Sequence, residues 1–302
     1  MTDTRYRIRR KKQRCGAPAE QLALTVRKNE DGSDLPLLSF PAIDGAGTAR
    51  HFFTTRLGGV SEGKFSSMNL TFSRGDDREH VLENYRRIAA AMGTRPDRFV
   101  LTYQVHHTEV IRVTDADAGK GVTRERDWDD VDGLVTNTPG LVLSVFAADC
   151  VPILFVDPKR RAVGACHSGW RGTVGRIGGK VIQKMEAEFG SDPGDILCGI
   201  GPSICRDCYE ISDDVAEQFL AAFPGKEGKI LENHYNGHWQ LDLWEACRIG
   251  LREAGVPDGN IHTTDVCTCC NPELLFSHRA ARGEKHGNIG GFIMLRTGED
   301  RQ

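Results

Sequence analysis

Residues 144–173 read SVFAADCVPILFVDPKRRAVGACHSGWRGT, and no other stretch restricts the fold as much. Apolar runs at 141–147 and 153–156 flank Ala148-Asp149-Cys150. A third run, 162–166, follows a turn at 157–161 and ends on His167. Short apolar runs bounded by turn residues predict buried strands. Cys150 and His167, 17 positions apart, both fall at the ends of such strands, where a stiff frame can place side chains tightly. Gly169, Trp170, Arg171 and Gly172 follow. Thr173 is placed to cap a helix in which Val174, Ile177, Val181, Met185 and Phe189 recur at helical spacing, closed by Gly190. A strand, a glycine-bearing turn with an arginine, and a helix N-terminus together favour an anion near His167.

The frame around this stretch is that of a globular chain. Its 302 residues allow two domains of roughly 150 residues or one large α/β unit. Hydrophobic content of 39% with charged content of 27% supports a real core. A net charge of −3 gives the whole chain no pull towards nucleic acid. The exception is a basic N-terminal segment with Arg5, Arg7, Arg9, Arg10, Lys11, Lys12 and Arg14. Residues 1–20 are expected to form a solvated, disordered arm, with a weak contact to nucleic acid or an acidic partner as the alternative. No secretory h-region follows, and no run approaches the roughly 18 apolar residues of a membrane span. A cytoplasmic protein is expected, in which the ten cysteines are thiols, ligands or nucleophiles rather than a disulfide framework. Cys15, Cys198 and Cys247 read as small core or surface residues.

Along the chain, residues 22–28 and 35–40 predict edge strands around a turn at 31–34, and 52–56 a strand running into the Gly58-Gly59 loop. Asp77 is placed to cap a helix with Val81, Leu82, Tyr85, Ile88, Ala89 and Met92 on one face, closed by Gly93. Strands are predicted at 99–104, 110–113, 196–200, 261–266, 274–276 and 291–295, while 132–135 leads into the central stretch. Ser212 and Asp242 are expected to cap two further helices, the latter with Glu245 in a capping-box pattern. Strands and helices mix without strict alternation. This favours an α/β (α+β) domain of mixed sheets flanked by helices, single from 21 to 302.

Three ligand-type side chains, His106, Cys150 and His167, each lie just after an apolar run and could point into one cleft. Two imidazoles and a thiolate suit zinc with an open fourth position, where bound water has a pKa near 7. On spacing alone, a buried cysteine and two hydrogen-bonded histidines explain the same residues. Cys150 and His167 also permit a nucleophile pair for acyl transfer, with Asp149 orienting a histidine or a substrate group. Copper fits less well: no methionine lies between Met92 and Met185 to serve as an axial ligand, and no His-x-His pair occurs. Elsewhere, Cys205-Arg206-Asp207-Cys208 has zinc-ribbon spacing and Cys267-Thr268-Cys269-Cys270 offers a second pair. Together they could build a structural zinc, although Cys-x-Cys-Cys is a less usual pattern. Arg56 and Arg171 sit in glycine-containing turns, where a guanidinium fork suits phosphate or carboxylate; Ser277-His278-Arg279 offers further polar groups.

An ordered series of motifs says more than spacing. It comprises Thr54-Thr55-Arg56-Leu57-Gly58-Gly59-Val60-Ser61, Ser67-Met68-Asn69-Leu70, Gln104-Val105-His106 and Asp132-Gly133-Leu134-Val135-Thr136. Ala148-Asp149-Cys150-Val151-Pro152 and His167-Ser168-Gly169-Trp170-Arg171-Gly172 follow. Gly201-Pro202-Ser203-Ile204, Cys208-Tyr209-Glu210, Leu241-Asp242-Leu243-Trp244 and Phe276-Ser277-His278-Arg279 complete it. From about residue 50 to 295 the chain resembles the laccase-domain family, long called multicopper polyphenol oxidases and now treated as purine nucleoside phosphorylases. The resemblance implies zinc on His106, Cys150 and His167, and phosphorolysis of adenosine, inosine, guanosine and methylthioadenosine. It also implies adenosine deamination in the same pocket. Catalysis would involve Cys150, His167 and Asp149, with Arg56, Asn69, Gln104, Arg171, Ser277 and His278 as candidate contacts to nucleoside and phosphate. It implies, too, a fold related to deamidase toxins with a Cys–His pair. Amidase action on peptidoglycan precursors is the runner-up and copper oxidation the least favoured reading. Two departures stand out: His107 occupies the place of a usual glycine, and His286-Gly287-Asn288 stands where many relatives carry Thr-Gly-Arg.

Overall fold

The computed structural model describes residues 6–11, 22–234 and 236–298. In chain order the strands are β1 (Ala23–Lys28), β2 (Asp34–Ser39), β3 (Ala49–Thr54), β4 (Phe99–Leu101) and β5 (Val110–Arg112). The middle of the chain supplies β6 (Gly133–Thr136), β7 (Val142–Ala147), β8 (Val151–Asp157), β9 (Ala162–Ser168) and β10 (Leu197–Ile200). The last are β11 (Glu210–Ser212), β12 (Leu231–Asn233), β13 (His238–Leu241), β14 (Ile261–Thr263) and β15 (Ile289–Leu295). Two six-stranded sheets run in the orders β1-β2-β3-β15-β7-β4 and β14-β10-β8-β9-β6-β5, with a small sheet β11-β13-β12 beside them. Both large sheets are mixed: β4–β7, β10–β14 and β5–β6 pair in parallel and the other neighbours antiparallel. This is the single mixed α/β domain expected from the sequence.

The apolar runs are continuous because each large sheet is covered on both faces. Leu143 and Val145 of β7 and Ile293 of β15 pack inward against Leu154 and Val156 of β8 and Val163 and Ala165 of β9. On the outer face of the first sheet, Val142, Phe292 and Met294 meet Tyr85, Ile88 and Met92 of the helix Arg78–Met92. On the outer face of the second, Ile153, Phe155 and Cys166 meet Val181 and Met185 of the helix Ile177–Phe189, with Ile249 and Leu251 of the helix Leu243–Glu253. The result is a helix–sheet–sheet–helix sandwich.

Asp77 caps the first helix through Glu79 N–H, and Gly93 closes it in the left-handed region at φ 71°. Asp242 accepts the N–H of Glu245 at 3.0 Å, but the Glu245 carboxylate turns to Arg252, so only half of the capping box forms. Four expectations fail. The helix after His167 is broken: Trp170–Val174 ends at Gly175, and Arg176 adopts φ 58° before Ile177–Phe189 begins. Thr173 therefore lies inside the short segment, its hydroxyl bonded to Gly169 O at 2.9 Å. Ser212 precedes the helix Asp213–Ala222 without a side-chain capping bond. Residues 274–276 form a buried turn instead of a strand, and β2 is an inner strand rather than an edge.

Within the basic segment expected to be a solvated arm, residues 6–11 are tied to the body. Arg9 exchanges backbone bonds with the Asn271 amide, Arg10 forks onto Asp265, and Lys11 reaches Asp207 at 3.1 Å. The rest of that segment, including Cys15, lies outside the described residues. Among the described residues no helix is long and apolar enough to cross a membrane.

Between the sheets, the fully buried Phe53 ring meets Phe40 edge-on at 6.1 Å, and a Cβ on Gly201 would fall 2.3 Å from it. Phe53→Ala is expected to lower the unfolding free energy by about 3–5 kcal/mol in a denaturant titration. A loss under about 1 kcal/mol would contradict a close-packed layer here.

Candidate functional site

Strand register places the central residues. β8 and β9 pair with Val151 opposite Ser168, so Cys150, one step before, faces Gly169. β6 and β9 pair with Gly133 opposite Cys166, so Asp132 faces His167. The fully buried Asp132 carboxylate accepts from His167 Nδ1 at 2.7 Å and from the backbone N–H groups of Val105, His106 and His107 at 3.0–3.3 Å. One carboxylate thus orients the His167 ring and pins the loop that carries His106, itself at φ 66°. The His106 and His167 rings meet edge to face, 4.7 Å between centroids. The donor atoms of His106, Cys150 and His167 all lie within 4.8 Å of one another.

Gly169 makes this convergence possible: a Cβ there would lie 2.6 Å from His106 Nδ1 and 3.3 Å from Cys150 Sγ. Two imidazoles and one thiolate fit a divalent ion of zinc type, and Asp132 on Nδ1 leaves His167 Nε2 for the ligand face. Electrostatics agree. Burial works against the Cys150 thiolate, yet the charge and hydrogen bond of His167 and the hydrogen bond of His106 lower its pKa to about 6. Burial likewise opposes the His167 imidazolium, but Cys150 and Asp132 raise its pKa to about 9. Asp132 is also buried against ionisation, and the His167 and backbone donors hold it below its ordinary range.

These three groups open on a cavity of about 680 Å³, within the range of small-molecule sites. Asp149, at φ 90°, lines it too, but its oxygens are taken by the Thr268 hydroxyl and the Arg279 N–H, both at 2.6 Å. It holds the Cys150 elbow. Gln104 lines the wall, its amide paired with both the N–H and the C=O of Phe146 at 2.7 Å. His278 lines the cavity as expected, whereas Ser277 caps the turn His278–Ala281 through Ala280 N–H. The remaining expected contacts do not line the cavity. The Arg56 guanidinium binds the carbonyls of Ser66 and Pro272 over the Phe276 ring. Asn69 is fully buried and bonded to Thr71 and Asp76. Arg171 is exposed and lies over Trp170 at 4.2 Å.

The cations that line the cavity are different ones: Arg74, Arg126 and Arg279. The His286 Nδ1–H donates to the Gly287 carbonyl at 2.8 Å, so its Nε2 is the acceptor for Arg74 at 3.3 Å and for His278 Nδ1 at 3.1 Å. Burial lowers the His286 pKa, in the direction of the neutral form. Spacing did not single out Arg74, at the end of the short turn Phe72–Arg74, while Asp132 was visible only as part of a motif.

The profile of the family described as "Multi-copper polyphenol oxidoreductase laccase" matches residues 50–296. The chain belongs to this family. It is similar to "Purine nucleoside phosphorylase YlmD" of Geobacillus stearothermophilus, 39% identical over 76% of this chain and 84% of the relative. "Adenosine deaminase RL5", from an unknown prokaryotic organism, is 36% identical over 76% of this chain and 87% of its own length. Among solved structures, a hypothetical protein YfiH of Bacillus licheniformis superposes with a TM-score of 0.82 at 35% identity, covering 86% of this chain and 96% of that one.

The two departures from the family pattern resolve differently. His107 turns outward to Asp130 at 2.9 Å and does not line the cavity. His286 and Asn288 both line it, and the buried Asn288 Oδ1 has no hydrogen-bond partner among the described residues.

Two outcomes follow from this geometry. In metal-stripped protein the lowered Cys150 pKa favours the fold above it, a contribution lost as pH falls through about 6. The raised His167 pKa favours the fold below it, a contribution lost as pH rises through about 9. Alkylation of Cys150 in that protein should therefore rise with a midpoint near 6 and be blocked by added zinc; an ordinary thiol midpoint would refute the pair. Gly169→Ala should weaken zinc affinity by about 10- to 100-fold in a competition titration without unfolding the chain. Unchanged affinity would mean that His106 does not need the space.

Proposed function

We propose that the chain is a zinc-dependent purine nucleoside phosphorylase that also deaminates adenosine in the same cavity. The observation that carries this reading is the convergence of His106, Cys150 and His167 at a nucleoside-sized cavity whose wall holds Arg74, His278 and His286. Relatives named for both activities support the choice of chemistry. Zinc held by the three side chains supplies a Lewis acid next to the substrate. Zinc is preferred to copper because, among the described residues, no methionine lines the cavity to act as a weak axial ligand. The free state of the nine described cysteines fits a reducing, cytoplasmic setting.

In phosphorolysis a phosphate oxygen bonds to C1′ of the ribose as the C1′–N9 bond breaks, and the electron pair leaves with the purine, which takes up a proton. Arg74, held against His286 Nε2 at 3.3 Å, offers a guanidinium cation with further N–H donors for the phosphate. This replaces the roles expected for Arg56 and Arg171. The Tyr209 phenol, kept protonated because burial raises its pKa, faces the cavity as a donor to the base. The orphan Asn288 Oδ1 is an acceptor for a purine N–H or ribose hydroxyl. Asp132 keeps His167 in one tautomer throughout.

One observation favours a second reading. Cys150, His167 and Asp132 form a thiolate–imidazole–carboxylate series, the arrangement of a Cys–His amidase. In that reading Cys150 attacks an amide carbonyl, and peptidoglycan precursors are the substrate class.

Chromatography of inosine with inorganic phosphate should yield hypoxanthine and ribose 1-phosphate, and adenosine without phosphate should yield inosine. Both activities should vanish on chelation and return with zinc. Arg74→Ala should raise KM for phosphate by about ten- to a hundred-fold with a smaller effect on deamination. Zinc-replete protein that turns over no purine nucleoside refutes the proposal, and chelator-insensitive amide hydrolysis lost on Cys150 alkylation establishes the second reading.

A further inference from the structure

Away from the cavity, a second cluster joins two segments far apart in sequence. β10 and β14 are parallel neighbours with Ile200 opposite Thr263, so the chain leaves both at the same end of the sheet. Each exit carries a Cys-x-x-Cys: Cys205 and Cys208 after β10, Cys267 and Cys270 after β14. The exits stay in step, with Ser203 bridged to Cys267 and Thr268 N–H donating to Ser203 O at 3.1 Å. The four sulfurs lie within 4.8 Å of one another, Cys208 and Cys270 at 3.4 Å, and none is in a disulfide. A zinc ion with Zn–S bonds of about 2.3 Å needs sulfurs about 3.8 Å apart, so the cluster is close to the required tetrahedron. The first turn is closed by Cys208 N–H donating to Cys205 O at 3.0 Å, and Cys205 N–H donates across to Cys267 Sγ at 3.2 Å. None of the four lines the 680 Å³ cavity.

We propose that Cys205, Cys208, Cys267 and Cys270 bind a structural zinc ion in a closed tetrathiolate site, separate from the His106–Cys150–His167 centre. Four thiolates around one divalent ion leave a net charge of −2 and no open position, which makes the site structural rather than catalytic. Lys11 supplies a neighbouring cation, bonded to Asp207 between the first two cysteines at 3.1 Å. Cys269, the fifth cysteine here, is not one of the four converging sulfurs. The ion fastens the back of the Cys150 elbow. Ile204, beside Cys205, donates its N–H to Asp149 O at 3.0 Å, and Thr268, beside Cys267, donates its hydroxyl to Asp149 Oδ1 at 2.6 Å.

The test is elemental analysis of the full chain purified under reducing conditions without added metal. About two zinc ions per chain are expected. His106→Ala with His167→Ala should retain about one, and cobalt exchanged into that variant should show the intense near-ultraviolet thiolate-to-metal bands of a tetrathiolate. Cys208→Ser should lose that ion and Cys269→Ser should keep it. Should Cys208→Ser fail to fold, mercurial titration of the His106→Ala, His167→Ala protein decides, with about four thiols consumed per zinc released. A histidine variant without metal, a Cys208–Cys270 disulfide found by mass in freshly purified protein, or iron in place of zinc would overturn the proposal.

Discussion

The site depends on one buried carboxylate. Asp132 is completely shielded from solvent, and an isolated charge there would be costly to hold. It is tolerable because four donors converge on it, three backbone N–H groups of residues 105–107 and the His167 imidazole. The same bonds decide function. They fold the loop back so that His106 meets His167, and they fix which nitrogen of His167 turns towards Cys150. Whether that face carries a metal or activates a thiolate, the arrangement beneath it is the same.

The fold was legible where sheets are covered on both faces, because β7, β8 and β9 then appear as unbroken apolar runs with turn residues between them. It was less legible where a periodic pattern hides a break. Val174 and Ile177 keep helical spacing, yet Gly175 and the left-handed Arg176 interrupt the helix between them. Residues 274–276 fail in another way: they are buried and apolar, as a strand would be, but their backbone bonds run to Asn271 and Arg56 rather than to a ladder. Burial without pairing has no signature in sequence.

Cys150 and His167 were legible as strand-end residues, since a register fixed by hydrophobic pattern also fixes what faces what there. Grouping them with His106 as ligands rested on the motif series. The residues proposed to hold the anion were not legible. Arg56 has the guanidinium and the glycine-rich context of a phosphate ligand, but it lies within reach of the Ser66 and Pro272 carbonyls and satisfies them. Arg74, with Gly75 directly after it, has a comparable context, and only the fold brings it to His286 and the cavity. The His286-Gly287-Asn288 segment lies between these cases. Its departure from the family pattern was readable, and the structure turns it into two cavity-lining side chains, one with an unused acceptor.

Asp149 links the two clusters of ligand-type side chains. A non-glycine residue at φ 90° is strained, at about 1–3 kcal/mol, and persists only when its surroundings over-determine it. The sheet cannot do this, because β10 and β14 end at Ile200 and Thr263, short of the elbow. Bonds to Asp149 come instead from Ile204, Thr268 and Arg279, in segments without long secondary structure. Two of these donors adjoin cysteines of the tetrathiolate cluster. A zinc ion there makes two irregular turns into one rigid buttress, and the strained elbow then keeps the Cys150 sulfur within reach of both imidazoles. Loops that carry a precise site need such a fastening, and in this chain the four thiolates are placed to provide it.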